Sequence, residues 1–213
     1  MNELDPRGLI DHLVYGVTDL QQAVTSIADR IGVSPTEGGR HLGRGTRNYL
    51  LGLSGTCYLE IIGLDPENPV DDDQTVPFGL DHLTEDRLIT WAIHPHDVDH
   101  ALIVARRHGA DHGKLHPMSR VDAHGTELHW TLAVGDPLPF DGLAPFLIDW
   151  QDSPHPASPG IARAELVELT VTAPDPTKIT ALLRELDLSI AAEPGDESAL
   201  HAVITGPKGT IAL

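Results

Sequence analysis

Two acid–base side chains near the N-terminus stand in apolar surroundings. His12 falls within Ile10-Asp11-His12-Leu13-Val14-Tyr15-Gly16-Val17, and Glu60 within Cys57-Tyr58-Leu59-Glu60-Ile61-Ile62. A histidine in such a strand is ordinarily a core residue satisfied by hydrogen bonds. A carboxylate flanked by Leu59, Ile61 and Ile62 is different, because burying it unpaired is costly. An imidazole nitrogen and a carboxylate oxygen brought together suit Zn, Mn, Fe, Co or Ni, and a site with open positions could polarise a carbonyl or an enediolate.

A second chemical feature lies between them, in Arg40-His41-Leu42-Gly43-Arg44-Gly45-Thr46-Arg47-Asn48. Gly43 and Gly45 permit a sharp turn, and His41, Thr46, Arg47 and Asn48 are candidate donors to a carboxylate, phosphate or carbonyl oxygen of a substrate. The same residues could serve the chain itself, the arginines offsetting an acidic surface and Thr46 and Asn48 satisfying nearby backbone. His129 alternates with Trp130, so one of the two faces any concave surface. His155, between Pro154 and Pro156, reads as a linker residue, and Cys57, with no cation beside it, as an inert buried thiol.

The elements that must position these groups follow from periodicity. Residues 10–17 read as a strand. Leu20, Ala23, Val24, Ile27, Ala28 and Ile31 repeat at helical spacing, with Thr18 or Asp19 as N-cap and Gly32 as stop. A glycine-rich stretch over 34–45 carries a further candidate strand, and residues 47–53 and 57–62 read as a hairpin around Ser54-Gly55. The order is βαβββ. It recurs as strand 88–93, helix 97–107 and strands 126–134 and 145–150, and a third time in strand 164–171, helix 176–186 and strands 189–192, 200–204 and 209–213.

The predicted fold class is therefore α+β, with repeated βαβββ modules forming open, curled mixed sheets and helices outside. The expected organisation is module 1 over 1–64, an irregular acidic connection over 65–86, module 2 over 87–151, a Pro/Ser linker over 152–160 and module 3 over 161–213. Placing the third helix under the first sets Glu168 beneath His12.

The chain has 213 residues, one cysteine and a formal charge of −18 from 32 acidic and 14 basic residues. That charge repels phosphate backbones and anionic membranes, so neither nucleic acid nor membrane is an expected partner. No run approaches the apolar length of a membrane span, and the N-terminus has no basic-then-apolar leader, so a cytoplasmic location is expected. The motifs of P-loop, Rossmann, Gly-x-Ser-x-Gly and His-Glu-x-x-His enzymes are missing from the sequence.

Residues 11–15, the loop with His41, Gly43, Gly45, Thr46 and Asn48, the strand Tyr58-Leu59-Glu60-Ile61-Ile62-Gly63, and Pro145-Phe146-Leu147-Ile148-Asp149-Trp150 together resemble the glyoxalase-like domain family of the vicinal oxygen chelate superfamily. The resemblance covers residues 9–175. It implies paired βαβββ modules around a concave site and a divalent metal acting as Lewis acid on a small oxygen-bearing molecule. His12 and Glu60 then stand at the metal-ligand positions, Glu60 also as a catalytic group, with Asp149, His129 or Glu168 as candidate third ligand. Aligning Val17 with Ile93 puts Leu88, which cannot coordinate, where module 2 would supply its own ligand. The expected function is a metal-dependent lyase, isomerase or dioxygenase-type enzyme. The alternative is a protein that binds or sequesters a small molecule after losing the metal site. A homodimer is a further expectation, because an odd number of modules leaves one without an internal mate.

Overall fold

The computed structural model describes residues 8–71, 74–121, 127–157 and 160–213. The extreme N-terminus, Asp72 and Asp73 of the acidic connection, Thr126 at the expected start of a strand, and Ser158 and Pro159 of the linker lie outside the described residues. The first module comprises β1 (Ile10–Gly16), α1 (Leu20–Ile31), β2 (Thr36–His41), β3 (Thr46–Gly52) and β4 (Tyr58–Leu64). The second comprises β5 (Arg87–Ile93), α2 (Val98–Arg107), β6 (His116–Val121), β7 (Glu127–Ala133) and β8 (Phe146–Asp149). The candidate strand in the glycine-rich stretch is β2.

The helices start where short polar side chains satisfy free backbone N–H groups. Asp19 accepts from the Gln22 amide and Asp97 from the His100 amide. α1 ends at Gly32, whose φ of 76° is open to glycine. It buries Ala23, Val24, Ile27 and Ile31 against the sheet.

All eight strands form one sheet in the order β2-β3-β4-β1-β5-β8-β7-β6. Within each module the first strand runs parallel to the last, and the modules join through antiparallel pairing of β1 with β5. The edge strands β2 and β6 approach one another, so the sheet is curled. Its convex face packs on the helices. Its concave face carries Val14, Ile62, Ile89, Trp130, Phe146 and Ile148.

The β1–β5 register defines an internal two-fold axis. Leu13 pairs with Trp91, and on either side His12 pairs with Ala92 and Val14 with Thr90. The counterpart of His12 is therefore Thr90. This corrects the alignment that selected Leu88: a register irregularity opposite Val14–Tyr15 sends Leu88 into the core shared with the helices. Trp91, at the axis, is fully buried, and its indole N–H donates to the Leu143 carbonyl at 2.8 Å.

That tie fixes the turn over Pro139–Gly142 against β5. Gly142 has φ of 90°, and a Cβ there would lie 2.0 Å from the Ile89 carbonyl oxygen. Gly142→Ala is expected to cost about 2–3 kcal/mol, from left-handed backbone strain plus displacement of a β5 carbonyl. Urea unfolding of the variant beside the parent chain reads this directly.

The third unit, β9 (Glu165–Ala173), α3 (Thr177–Glu185), β10 (Ala191–Pro194), β11 (Ala199–Gly206) and β12 (Gly209–Ala212), keeps the expected element order but not the pairing. Its sheet runs β10-β9-β11-β12, with its first strand inside and not at an edge. It packs on the helix side, where Ile179, Leu182 and Ile204 share one core with Ile31. No helix among the described residues is long and apolar enough to cross a membrane.

Candidate functional site

His12 and Glu60 meet on the concave face, with His12 Nε2 3.7 Å from Glu60 Oε2. Both are almost fully buried, at 4% and 8% exposure. The parallel register of β1 and β4 sets Glu60 opposite Val14, one side-chain repeat along from His12. Tyr58 stacks on the His12 ring at a centroid distance of 4.8 Å and Phe146 meets it edge-on at 5.4 Å, so the imidazole is held from two sides.

A third residue, Asp11, completes this line. Neighbours on a regular strand point to opposite faces, yet Asp11 Oδ1 lies 2.6 Å from His12 Nδ1. The register explains it: Ile10 pairs with Ile93 and His12 with Ala92, which leaves Asp11 as the extra residue of a β-bulge. Its other oxygen accepts from Trp150 Nε1 at 2.8 Å and from His155 Nε2 at 3.0 Å. His155 Nδ1 accepts from the Ala157 amide, so its Nε2 carries the proton given to Asp11. Burial works against charge on Asp11, but the hydrogen bonds and positive field of His12 and His155 outweigh it and hold the carboxyl far below the usual range. With Asp11 held at Nδ1, the other ring nitrogen of His12, Nε2, faces Glu60 and the cavity.

The glycine-rich loop supplies the other wall. Asn48 Nδ2 donates to Glu60 Oε1 at 2.5 Å and, more weakly, toward His41 Nε2 at 3.4 Å. His41 Nδ1 then donates to Thr46 Oγ1 at 2.9 Å. Thr46, fully buried, orients His41 and does not itself line the cavity. Arg47 alternates to the other face of β3 and pairs with Glu37.

The remaining candidate ligands do not converge on this point. Asp149 is one residue past Ile148 of the concave face, so it points the other way, toward His94 at 3.7 Å. His129 is exposed between the buried Leu128 and Trp130, which take the concave side. Glu168 is exposed in the third unit's separate sheet, because shared element order did not carry shared strand pairing. Residue spacing gave no sign of Asp11 and His155. One depends on a bulge and the other on where a linker folds.

The internal two-fold axis allows the expected metal to be weighed against the donor set. Glu60 pairs with Val14 as Phe146 pairs with Ala92, so Phe146 is the counterpart of Glu60. The four related positions are thus His12, Glu60, Thr90 and Phe146, and only the first two are ligand types. Among the described residues no group of three or more His, Cys, Asp or Glu side chains is arranged to hold a metal ion. A site built from three or four protein donors does not fit this pocket.

A cavity of about 1660 Å³ opens over these residues, lined by the concave sheet, by the segments before β5 and β8, and by residues 197–201 and Leu213 of the third unit. Two βαβββ modules joined through their first strands around such a cavity define the vicinal oxygen chelate class of proteins. The chain belongs to the glyoxalase-like domain family, whose profile matches residues 10–186. Its fold is similar to that of a hypothetical protein from Staphylococcus aureus, at 13% identity and a TM-score of 0.66 over 95% of this chain and 97% of that one. It is also similar to a mutant 4-hydroxymandelate synthase from Streptomyces coelicolor, at 17% identity and a TM-score of 0.52 over 97% of this chain and 62% of that one. At such identities the likeness is one of fold. A comparison with curated proteins gave no match.

Proposed function

We propose that the protein is an enzyme of the isomerase or lyase kind that moves a proton next to a carbonyl group of a small molecule. The observation that carries this reading is the buried line Asp11–His12–Glu60, with His12 Nδ1 at 2.6 Å from one carboxylate and Nε2 at 3.7 Å from the other. Asp11 holds the ring in the tautomer whose free Nε2 faces the cavity and stabilises the imidazolium that forms when it takes a proton. His12 Nε2 removes a proton from the carbon beside the carbonyl, and the electron pair of that C–H bond moves onto the carbonyl oxygen as an enolate. Asn48 stands beside the reacting groups, and the Nδ2 proton that leans only weakly on His41, at 3.4 Å, is the one that turns to that oxygen. Glu60, when protonated, returns a proton to carbon, giving the isomer; loss of a β-substituent from the enolate instead gives the lyase outcome.

The test is solvent-deuterium incorporation. Small 2-oxo acids and hydroxyketones are incubated with the protein in D₂O and followed by proton NMR at the carbon next to the carbonyl. Exchange is expected with the parent chain and is expected to fall 10²–10⁴-fold in His12→Ala. Exchange at the uncatalysed rate across the series would overturn the catalytic reading. A second reading, sequestration of a small molecule, is favoured by Thr90 and Phe146, which give the second module no acid–base group at the matching positions. Thermal stabilisation by a compound that shows no exchange supports it.

A further inference from the structure

The two halves of the concave face, though related by the internal axis, have opposite chemistry. On the first module the side chains facing the cavity include His12, His41, Asn48 and Glu60. On the second they are chiefly Trp130, Leu132, Phe146, Ile148 and Trp150, with Met118 and a single imidazole, His116, from the edge strand. Trp130 and Trp150 pack at a centroid distance of 5.3 Å, and Phe78 leans on Phe146 at 6.0 Å, extending the apolar wall onto the segment before β5. A small hydrophilic molecule would leave the apolar wall wet.

Charge distinguishes the polar end further. Arg40 is bound to Asp65 and Glu67, and Arg47 to Glu37. Arg44, between them in the same loop, lines the cavity and makes no ion pair with any described carboxylate. A guanidinium that lines the cavity without an ion-pair partner among the described residues is a ready partner for an oxygen anion. Glu60, Asp81, Glu85, Asp136, Asp141 and Glu197 also line the cavity, so Arg44 marks the place in it where an anion is favoured; Asp86 is already engaged by the amide and hydroxyl of Thr18, at 2.7 and 2.8 Å.

The geometry points to an amphipathic organic anion as the ligand, its oxygen head toward Arg44 and an aryl or branched-alkyl body along the second module's face. This rests on the concave face being the working site and gives its substrate class. Three probes separate the contributions in calorimetric titration: 3-phenylpropionate, its primary amide, and acetate. The carboxylate with the aryl body is expected to bind at least tenfold more tightly than either of the others. Arg44→Gln is expected to abolish the preference over the amide. Leu132→Asn, at a half-buried position that tolerates polarity, is expected to weaken 3-phenylpropionate about fivefold and leave acetate unchanged. Equal affinity for 3-phenylpropionate and acetate, a carboxylate preference that survives Arg44→Gln, or no binding of any probe would each overturn the proposal. Titration reads binding alone, so it can succeed where deuterium exchange fails. Exchange on a small hydrophilic oxo acid without any preference for the aryl probe sinks this proposal and spares the proton-transfer reading.

Discussion

Asp11→Asn is expected to lower the unfolding free energy by about 3 kcal/mol near neutral pH, although it changes one atom. Asp11 accepts from three donors: His12 on one oxygen, and Trp150 and His155 on the other. An amide has only one acceptor atom. With its oxygen toward Trp150 and His155, its NH₂ group faces His12 Nδ1, which accepts only by switching to the other tautomer; turned the other way, it leaves the N–H groups of Trp150 and His155 without a partner, at about 1–3 kcal/mol each, and in both cases the charge assistance disappears. Trp150 directly follows β8, His155 lies in the linker and His12 in β1, so the loss loosens three segments at once. The effect has a pH signature. Asp11 in the folded chain titrates below its ordinary value of 3.8, so its contribution is fully present above that value and is lost as pH falls beneath it. Guanidinium unfolding of both chains should show a gap at pH 7 that narrows below pH 4. A gap that does not change with pH would show that the charge of Asp11 contributes nothing.

Much of this site was legible because strands and helices announce themselves by period. The His12 strand, the capped helix after it and the Glu60 hairpin all stand where alternation and helical spacing put them, and the meeting of His12 with Glu60 follows from pairing the first and last strands of one module. What escaped depended on single-residue register. Alternation assigns Asp11 to the face opposite His12, and only the bulge opposite Ile93–Ala92 reverses that. Asp149 and His129 were attractive by residue type, but each lies one position from a concave residue and so faces away. Thr90 was missed for Leu88 because matching the apolar ends of strands ignores where β5 pairs with β1. Glu168 shows a different limit: element order recurs in the third unit, while strand order, a long-range property, does not.

The same distinction between local type and long-range placement governs His112, where a pH effect closer to neutrality is expected. His112 is 3% exposed, in the turn between α2 and β6, and its Nδ1 accepts from the Gly135 amide at 3.3 Å. Burial penalises its imidazolium, and although the Asp111 carboxylate and the Pro145 carbonyl act in the opposite sense, its pKa is pushed down to about 4 from 6.5. The folded chain therefore refuses a proton that the unfolded chain accepts throughout that interval. Stability from the neutral ring is complete above pH 6.5 and falls with pH by about 1.4 kcal/mol per unit, reaching a loss of about 3 kcal/mol near pH 4. Asn at this position keeps an acceptor for Gly135 and cannot be protonated. His112→Asn is expected to be slightly less stable than the parent at pH 7.5 and more stable at pH 4.5, with the two urea-unfolding curves crossing between. Parallel curves would show that His112 titrates alike in both states. The consequence reaches the site, because Gly135 belongs with Val134 and Leu138 to the segment walling the cavity. Protonating His112 removes the acceptor that holds Gly135, so ligand binding in the parent chain should weaken below pH 5 more steeply than in His112→Asn.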